Sequence, residues 1–304
     1  MIASLIVITY NQVDCLKELM DSINSQFTED NFQTVIVNDC STDETGVYLS
    51  SLPPGENFVV INSERNLGRA GARNLGATNA SGDILIFVDG DLKLSDRFVA
   101  NHIEFHRQNK ETTAGVGRVV YRHQDAFSRY LQSCGAARNP DSESVPFRYF
   151  VSWNISVPRH IFERLNGFDD SFLTEHHNVG EDLEFGYRLH QAGCRISYLP
   201  SALAEHITKP SLEIMLEKRY KLGLEGLPLF IKKHPQATTE IPVCKLASSS
   251  VLLRFMLRIA LHPFIYNPLR KLAKSGIGLP GIAYEYLLHG AVLKGLWEND
   301  KLTG

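Results

Sequence analysis

The sequence predicts an α/β fold, with a mostly parallel sheet flanked by helices and followed by a C-terminal helical extension. Short apolar segments typical of buried strands alternate with segments of helical period over residues 3–88. Such alternation is typical of parallel sheets, because each crossover helix returns the chain to the edge where the previous strand began. Polar residues also follow each predicted strand, as they do at the ligand-binding edge of open α/β sheets.

Local patterns place the individual elements in chain order. The apolar segments predict strands at 3–10, 34–38, 58–61 and 83–88. Helical spacing predicts helices at 13–25 and 71–79, and Ser41-Thr42-Asp43-Glu44 is a capping-box sequence that predicts a helix just past the second strand. Farther along, 150–157 and 195–199 are also strand-like.

The acidic sequence Asp89-Gly90-Asp91 directly follows the fourth predicted strand. Two carboxylates one residue apart at the end of a buried strand suit a hard divalent cation and the diphosphate that it neutralises. Alone, such a sequence is more often a solvated turn. A nucleotide-diphosphate substrate is therefore a hypothesis that depends on what the other strand ends carry.

Those strand ends carry side chains that suit the rest of such a substrate. Thr9 and Tyr10 follow the first strand and offer a hydroxyl group and a ring for stacking, Asp39 follows the second with a carboxylate, and Arg69 follows the third with a guanidinium. The glycines form neither G-x-G-x-x-G nor G-x-x-x-x-G-K-[ST]. This argues against dinucleotide redox cofactors and ATP-type P-loops.

The polar strand ends belong to a longer series of motifs over residues 1–210. On the nucleotide side the motifs are 6–11, 37–43, 66–74 and 87–91. Farther along they are 153–156, 167–169, 180–184 and His206. In this order they resemble the family-two inverting glycosyltransferases of the nucleotide-diphospho-sugar transferase superfamily, which have the GT-A fold. Asn38, Cys40 and Leu92 depart from the family pattern and leave the identity of the nucleotide open.

The resemblance implies a role for each donor-side residue. Asp91 and His206 would ligate a manganese or magnesium ion, and Asp89 would bind the ribose hydroxyls or reach the metal through water. Asp39 would hydrogen-bond the base. The remaining donor-binding residues implied by the resemblance are Thr9, Tyr10, Asn11, Arg69 and Gly90.

On the acceptor side, the resemblance implies that Asp182 deprotonates the acceptor hydroxyl group while Trp153, Asn154 and Glu181 bind the acceptor. The N-terminus of the predicted helix is expected to lower the pKa of Asp182 and keep it ionised. An ordinary alternative is that Glu181 and Asp182 only form the acidic first turn of that helix. Trp153 could equally be core packing.

Three further residues have structural alternatives of the same kind. His206 could be a surface or core histidine rather than a ligand. Arg73 and Asn74 lie within a predicted helix, where we expect structural bonds around the neighbouring loop rather than ligand contacts.

The positions of the motifs and of the basic segment predict a catalytic domain at 1–240 and a basic helical extension at 241–304. The domain divides into a nucleotide-sugar half, a variable loop and an acceptor half at 1–121, 122–149 and 150–210. The loop is polar and contains Gly135, Pro140 and Pro146, so we expect either a mobile loop over the acceptor side or an inert insertion.

Composition restricts the class and location of the protein. The five cysteines are widely spaced and form no C-x-x-C pair, which predicts neither a disulfide framework nor a zinc site. The formal net charge of −3 argues against nucleic-acid binding. The chain enters a core strand within three residues, so we expect no signal peptide and a cytoplasmic location, with peripheral contact to the inner face of the membrane as an option.

Most of the extension carries positive charge only. Residues 242–283 contain six Lys or Arg residues and no Asp or Glu. Within them, 251–261 is a strongly apolar helical stretch that is too short to span a bilayer. It either packs on the catalytic domain or a dimer mate, or lies on an anionic membrane that would present a lipid-linked acceptor.

Together these patterns predict a metal-dependent inverting glycosyltransferase that moves a sugar from a nucleotide diphosphate, specifically a UDP-sugar, to a hydroxyl group of a glycan or glycolipid in polysaccharide or glycoconjugate biosynthesis. The first alternative is a sugar-nucleotide pyrophosphorylase, whose Gly-rich basic N-terminal loop is absent here. The second is a catalytically silent glycan-binding protein on the same fold. Measuring donor hydrolysis distinguishes the silent protein from the transferase.

Overall fold

The computed structural model describes residues 1–53, 55, 57–109, 112–135, 144–173, 179–247, 249–275 and 277–303. These residues form two compact units. Unit 1 draws on 1–123, 132–173 and 181–208, and unit 2 draws on 124–131, 179–180 and 209–303. The observed boundary after Thr208 differs from the predicted boundary after 240, because the helices that begin at Leu212 pack with the C-terminal helix.

Unit 1 is built on a sheet of eight strands. They are β1 (Ala3–Thr9), β2 (Phe32–Asn38), β3 (Phe58–Asn62), β4 (Ile84–Asp89), β5 (Leu92–Leu94), β6 (Thr113–Tyr121), β7 (Asn154–Pro158) and β8 (Arg195–His206). Their order across the sheet is β3-β2-β1-β4-β7-β6-β8-β5. The first four strands are parallel, β6 is parallel to β8, and β7 and β5 are antiparallel to their neighbours. The predicted α/β class is confirmed.

The helices are α1 (Val13–Asn24), α2 (Thr45–Ser51), α3 (Gly68–Thr78), α4 (Phe98–Gln108), α5 (Ala126–Gln132), α6 (Arg159–Arg164), α7 (Glu181–Gln191), α8 (Leu212–Lys221), α9 (Leu227–Lys233), α10 (Pro242–Ala247), α11 (Val251–Ala260), α12 (Pro263–Lys274) and α13 (Gly281–Thr303). In unit 1, buried apolar residues of α1 and α4 pack against those of β1 and β4 and form one hydrophobic core. The burial of both sheet faces explains why these strands are continuous apolar runs.

Three elements differ from the sequence prediction. The predicted capping box does not form, because the Asn11 Oδ1 atom accepts the Thr42 amide at 2.7 Å and α2 begins only at Thr45. α3 begins at Gly68 rather than 71, which places Arg69 in its first turn. β8 continues beyond 199 to His206, because an irregularity in its pairing with β6 accommodates the intervening residues.

The predicted loop at 122–149 is partly helical in the described residues. It contains α5 and a 3₁₀ turn at Phe147–Tyr149, and Phe147 is buried. The Val145 amide donates to the carbonyl of Ile196 on β8 at 2.7 Å. Positions 136–143, at the centre of the predicted loop, lie outside the described residues.

Unit 2 is helical, and α13 is its centre. α8 continues through a π-helical turn at Leu222–Gly226 into α9, and this run packs on α13. The packing is tight, because an added Cβ atom at Gly223 would lie 2.0 Å from the carbonyl oxygen of Val292. Of the helices in the described ranges, none is both long enough and apolar enough to cross a bilayer.

Candidate active site

Asp91 and His206 lie side by side because of the pairing of two strands. β5 and β8 pair in a register that puts Leu92 opposite His206, and the Ile207 amide donates to the carbonyl of Asp91 at 3.0 Å. The Asp91 Oδ2 atom is 3.5 Å from His206 Nε2. The predicted pair of metal ligands, 115 residues apart by their numbers in the sequence, is therefore brought together in the structure.

The tautomer of His206 affects what can lie between these two side chains. Its Nδ1 atom is 3.1 Å from both the carbonyl oxygen and the hydroxyl oxygen of Thr208, so either tautomer has a hydrogen-bond partner there. In the tautomer with the proton on Nδ1, the Nε2 lone pair faces the Asp91 carboxylate. A cation can then lie between the two acceptors, so this carboxylate and imidazole have the chemistry of a cation site.

Gly90 allows the turn between Asp89 and Asp91 to pass close to β1. Its amide donates to the Ile8 carbonyl oxygen at 2.9 Å, and an added Cβ atom would lie 3.0 Å from that oxygen and 3.0 Å from Thr9 Oγ1. A residue with a side chain would force the turn away from the strand. The glycine thus keeps both carboxylates at the end of β4 and beside Thr9.

A buried arginine joins the two acidic parts of the site. Arg73, on α3, is 2% exposed, and its Nη2 atom donates to Asp89 Oδ1 at 2.8 Å. Its Nη1 atom is 3.7 Å from Glu181 Oε1 and 3.7 Å from Asp182 Oδ1. The acidic motif after β4 and the acidic start of α7 are therefore held around one guanidinium.

This cluster contains polar atoms whose hydrogen-bonding capacity is not filled. Within the described part of the chain, Arg73 Nε and Nη1 and Glu181 Oε1 are buried without a hydrogen-bond partner. Arg69 Nε lies 3.4 Å from the same Glu181 oxygen, and the nearby Glu181 carboxylate is the main reason that the pKa of Arg69 is raised. Glu181 is 3% exposed, so the structure places it beneath the arginines rather than at an acceptor surface.

Asp182 lies in the first turn of α7 and is 24% exposed. The Ser152 hydroxyl donates to its Oδ1 atom. Burial, followed by the neighbouring charge of Glu181, raises the pKa of Asp182 to about 6, although Arg73, Arg69 and the Ser152 hydrogen bond act in the opposite direction. The expected lowering of this pKa by the helix N-terminus is therefore wrong, because desolvation outweighs it.

The ends of β1 and β2 form the other side of the candidate site. Tyr10 is exposed and its ring is available for stacking, whereas Thr9 is buried and its hydroxyl group has no hydrogen-bond partner among the described residues. Asp39 is buried, accepts the Leu67 amide at 2.6 Å, and has a pKa raised by that burial. The side chain of Asn11 accepts the backbone amides of Thr42 and Asp43 in the loop after β2, so its observed role is structural.

Trp153 and Asn154 occupy different environments despite their adjacency. Trp153 is half-buried, packs against the core of unit 1, and meets the rings of Tyr121 and His206 edge to face. Asn154 is fully buried, and its amide group bonds His102 and the carbonyl oxygens of Arg118 and Ala202. We therefore assign Asn154 to the core and not to acceptor binding.

A model of Glycosyl transferase family 2 matches residues 4–165, which is more than half of the chain. This chain belongs to glycosyl transferase family 2. The match begins in β1 and ends just after α6, so it includes the acidic motif after β4, Arg73 and Asp39. The family predicted from the sequence motifs is thereby confirmed.

Curated relatives match only part of their own length. YwdF of Bacillus subtilis, an uncharacterized glycosyltransferase, is 34% identical over 150 residues, which are 49% of this chain and 51% of YwdF. The chain spans about half to two thirds of the length of the curated relatives that it matches first.

Two solved structures share the fold over nearly the whole chain. The mannosyltransferase PcManGT of Pyrobaculum calidifontis, in complex with GDP-Man and Mn²⁺, has a TM-score of 0.60 at 19% identity and is matched over 97% of this chain and 87% of its own. TarS of S. aureus, in complex with UDP, has a TM-score of 0.57 at 18% identity, over 100% and 92%. These likenesses confirm the predicted GT-A fold.

Sequence reasoning did not assign two residues to the candidate site. Arg73 makes bonds within the protein, as expected, but its partners are Asp89 and Asp182 and not the neighbouring loop. Its place four residues after Arg69 on one helical face indicates that the two point the same way. Ser152 carries no recognisable pattern in the sequence. The prediction for Asn74 agrees with the structure. Its side-chain amide donates to the carbonyl oxygen of Phe168 and accepts from the backbone amide of the same residue.

Proposed function

We propose that this family 2 glycosyltransferase transfers a sugar with inversion from a nucleotide diphosphate, specifically UDP, to a hydroxyl group of a glycan or glycolipid. The donor class is supported by the ligands named for the two solved structures, GDP-Man and UDP. The observation that carries the proposal is the contact of Arg73 with both Asp89 and Asp182. Group transfer needs a donor site and a base close together, and the shared contact with Arg73 supports these roles for Asp89 and Asp182.

The side chains of Asp91 and His206 fit a divalent cation. Asp91 Oδ2 and His206 Nε2 lie 3.5 Å apart, and an oxygen and an imidazole nitrogen are both ligands for manganese. Among the described residues no group of three such side chains meets, so the remaining ligands would come from the donor phosphates and water. When bound, the cation would neutralise charge on the leaving diphosphate.

Asp182 is proposed to remove the proton from the acceptor hydroxyl group. With a pKa of about 6 it is ionised at neutral pH, and it is a stronger base than an ordinary aspartate. Ser152 and Arg73 fix its position from two sides. The partial exposure of Asp182 leaves it reachable by an acceptor, whereas the buried Glu181 holds the two arginines in place.

The donor's base is proposed to lie over the ends of β1 and β2. Tyr10 can stack on it, and the buried Thr9 hydroxyl group and the Asp39 carboxylate offer polar contacts. Arg69, which is 40% exposed beside Glu181, is positioned to meet the phosphates or the base. Trp153, next to His206, is proposed to contact the acceptor or the transferred sugar with its exposed part.

The experiment is a thermal-shift screen of nucleoside diphosphates and their sugars with Mn²⁺ or Mg²⁺. Binding to the folded state stabilises it by about 2.7 kcal/mol when the ligand is at a hundred times its Kd. We expect UDP with the metal to raise Tm, and UDP without metal to raise it much less. A screen in which no nucleoside diphosphate changes Tm would contradict the proposed donor class.

Two alternatives have different outcomes in assays with the ligand found by that screen. A catalytically silent glycan-binding protein would bind without hydrolysing the donor or transferring its sugar. A pyrophosphorylase would release sugar phosphate from the donor in the presence of pyrophosphate, an outcome that the family match already argues against.

A further inference from the structure

α11 presents an apolar face to the outside of unit 2. No residue of α11 is buried, and five of its exposed apolar residues recur at positions that share one helical face. They are Val251, Leu252, Phe255, Met256 and Ile259. Phe255 is 60% exposed, and Phe264 at the start of α12 is 85% exposed. So much apolar surface on neighbouring helices is typical of an interaction site.

Buried side chains fix the orientation of α11 and α12 in unit 2. Leu261 and Tyr266, at the junction of α11 and α12, are buried in the core of unit 2. The Tyr266 hydroxyl group donates to the carbonyl oxygen of Leu287 at 2.8 Å, and Arg270 on α12 pairs with Glu213 on α8. The outward direction of the apolar face is therefore built into the packing of unit 2.

Basic residues lie on the same two helices. Arg254 and Arg258 lie along one edge of the apolar stripe of α11, and Lys271 and Lys274 lie in the second half of α12. All four are exposed, and Arg258 also stacks over the ring of Trp297 at 5.5 Å. The whole segment 242–283 carries no acidic residue. Within this segment the exposed apolar residues are therefore accompanied by positive charge alone, which matches the interfacial zone of an anionic lipid surface.

A second copy of the chain is a poorer match for the same face. A two-fold symmetric contact would bring the face against itself, so its arginines and lysines would find no acidic partner from 242–283 on the other copy. Like charges in a desolvated interface are destabilising. A head-to-tail contact with an acidic surface elsewhere would instead produce rings or open chains, which sedimentation detects.

We infer that the α11–α12 face docks this protein on an anionic phospholipid surface, with Phe255 and Met256 inserted among the acyl chains and the flanking arginines and lysines at the phosphates. This inference rests on unit 2 alone and does not depend on the proposed donor chemistry. A helix that lies in the interface in this way needs no membrane-spanning segment.

The test is co-sedimentation of the full chain with vesicles, either pure phosphatidylcholine or an equimolar mixture of phosphatidylcholine and phosphatidylglycerol. We expect binding to the mixed vesicles, weaker binding to the neutral ones, and a loss of binding as salt is raised. Phe255→Ser should lower the partition coefficient about tenfold, and Arg254→Glu about fivefold or more.

Matched controls lie in unit 1. Phe27 is 65% exposed and Arg97 is exposed next to it, so Phe27→Ser and Arg97→Glu remove the same groups at a distant place in the sequence. We expect both controls to bind vesicles like the unchanged protein. Circular dichroism and Tm of all four variants verify that each is folded.

Two results would overturn the inference. The first is equal sedimentation of the unchanged protein and the Phe255→Ser and Arg254→Glu variants with the mixed vesicles. The second is a dimer or larger assembly in analytical ultracentrifugation that Phe255→Ser dissociates while vesicle binding is unaffected, because the face would then be covered by another copy of the chain.

Discussion

Replacing Asp182 by Asn should make the protein more stable while it removes most of the activity. The carboxylate has a pKa of about 6 in the folded protein against an ordinary value of 3.8, because it is largely removed from solvent and lies beside Glu181. Each pKa unit corresponds to about 1.4 kcal/mol, so the ionised form costs the folded state roughly 3 kcal/mol at about pH 8. Asn is neutral and keeps an oxygen that can accept from Ser152, so this cost disappears.

The sign of the pH dependence follows from proton binding. A carboxyl group with a raised folded pKa holds its proton more tightly in the folded state, so its stabilising contribution is full below about pH 4 and is lost as pH rises through about 6. In urea unfolding, the free energy of unfolding of the Asn variant should therefore exceed that of the unchanged protein by roughly 3 kcal/mol at about pH 8. At about pH 4 the two free energies should be equal.

Activity measurements complete this prediction. Turnover of Asp182→Asn should fall roughly 10²–10⁴-fold with little change in UDP affinity, because the base acts on the acceptor. In the unchanged protein, kcat/KM should fall tenfold per pH unit below about pH 6. Glu163→Gln is a matched control, since Glu163 is 62% exposed and makes only a surface pair with Arg159.

Two outcomes would refute different parts of this reasoning. If Asp182→Asn is no more stable than the unchanged protein at any pH, the pKa of Asp182 is not raised. If the variant keeps most of its turnover, the base is another group, and Glu181 and Glu184 would be tested next.

The remaining predictions concern the cation site, the buried arginine and the core. Asp91→Asn should abolish metal-dependent UDP binding in calorimetry, and His206→Gln should weaken it, because each removes a charged or imidazole ligand. Arg73→Lys should lower turnover at least about tenfold, since one ammonium group cannot contact Asp89 and Asp182 together as the guanidinium does. Gly117→Ala should destabilise the fold by about 1–3 kcal/mol in urea unfolding, because its Cβ atom would lie 2.3 Å from the amide group of the buried Asn154 side chain.

Each of these predictions has a result that would count against it. Unchanged calorimetric affinity in Asp91→Asn would remove that residue from the cation site. Full activity of Arg73→Lys would show that the contacts of Arg73 with the two carboxylates do not position them. Gly55→Ala is the control for Gly117→Ala, since its nearest neighbour would be 3.6 Å from the added atom, and equal stability of the two variants would contradict the steric argument.

The sequence by itself determined the strands that form the centre of the sheet and the chemistry at their ends. The apolar runs of β1, β2 and β4 predicted their own positions to within two residues, because a strand buried on both faces needs an uninterrupted apolar sequence. The alternation with helices determined that these strands are parallel and that their polar ends share an edge. The order of the motifs was sufficient to indicate the family that the comparison confirms.

Only the tertiary structure decided how distant segments meet. The Asp91–His206 pair depends on the short β5, which pairs with the last residues of β8. The sequence predicted a strand only over 195–199, whereas β8 continues past Pro200 to His206. The contacts of Arg73 depend on α3 and α7 lying together. Periodicity reports which face of an element is apolar, but not which partner covers it.

The direction of the pKa shift of Asp182 and the exposure of α11 were also decided by packing. A helix N-terminus favours an ionised carboxylate, yet burial beside Glu181 reverses the effect, and burial is not a local property of the sequence. The apolar residues of α11 are equally suited to a core or an interface. They face outward because Leu261 and Tyr266, at the junction with α12, occupy the core of unit 2 instead.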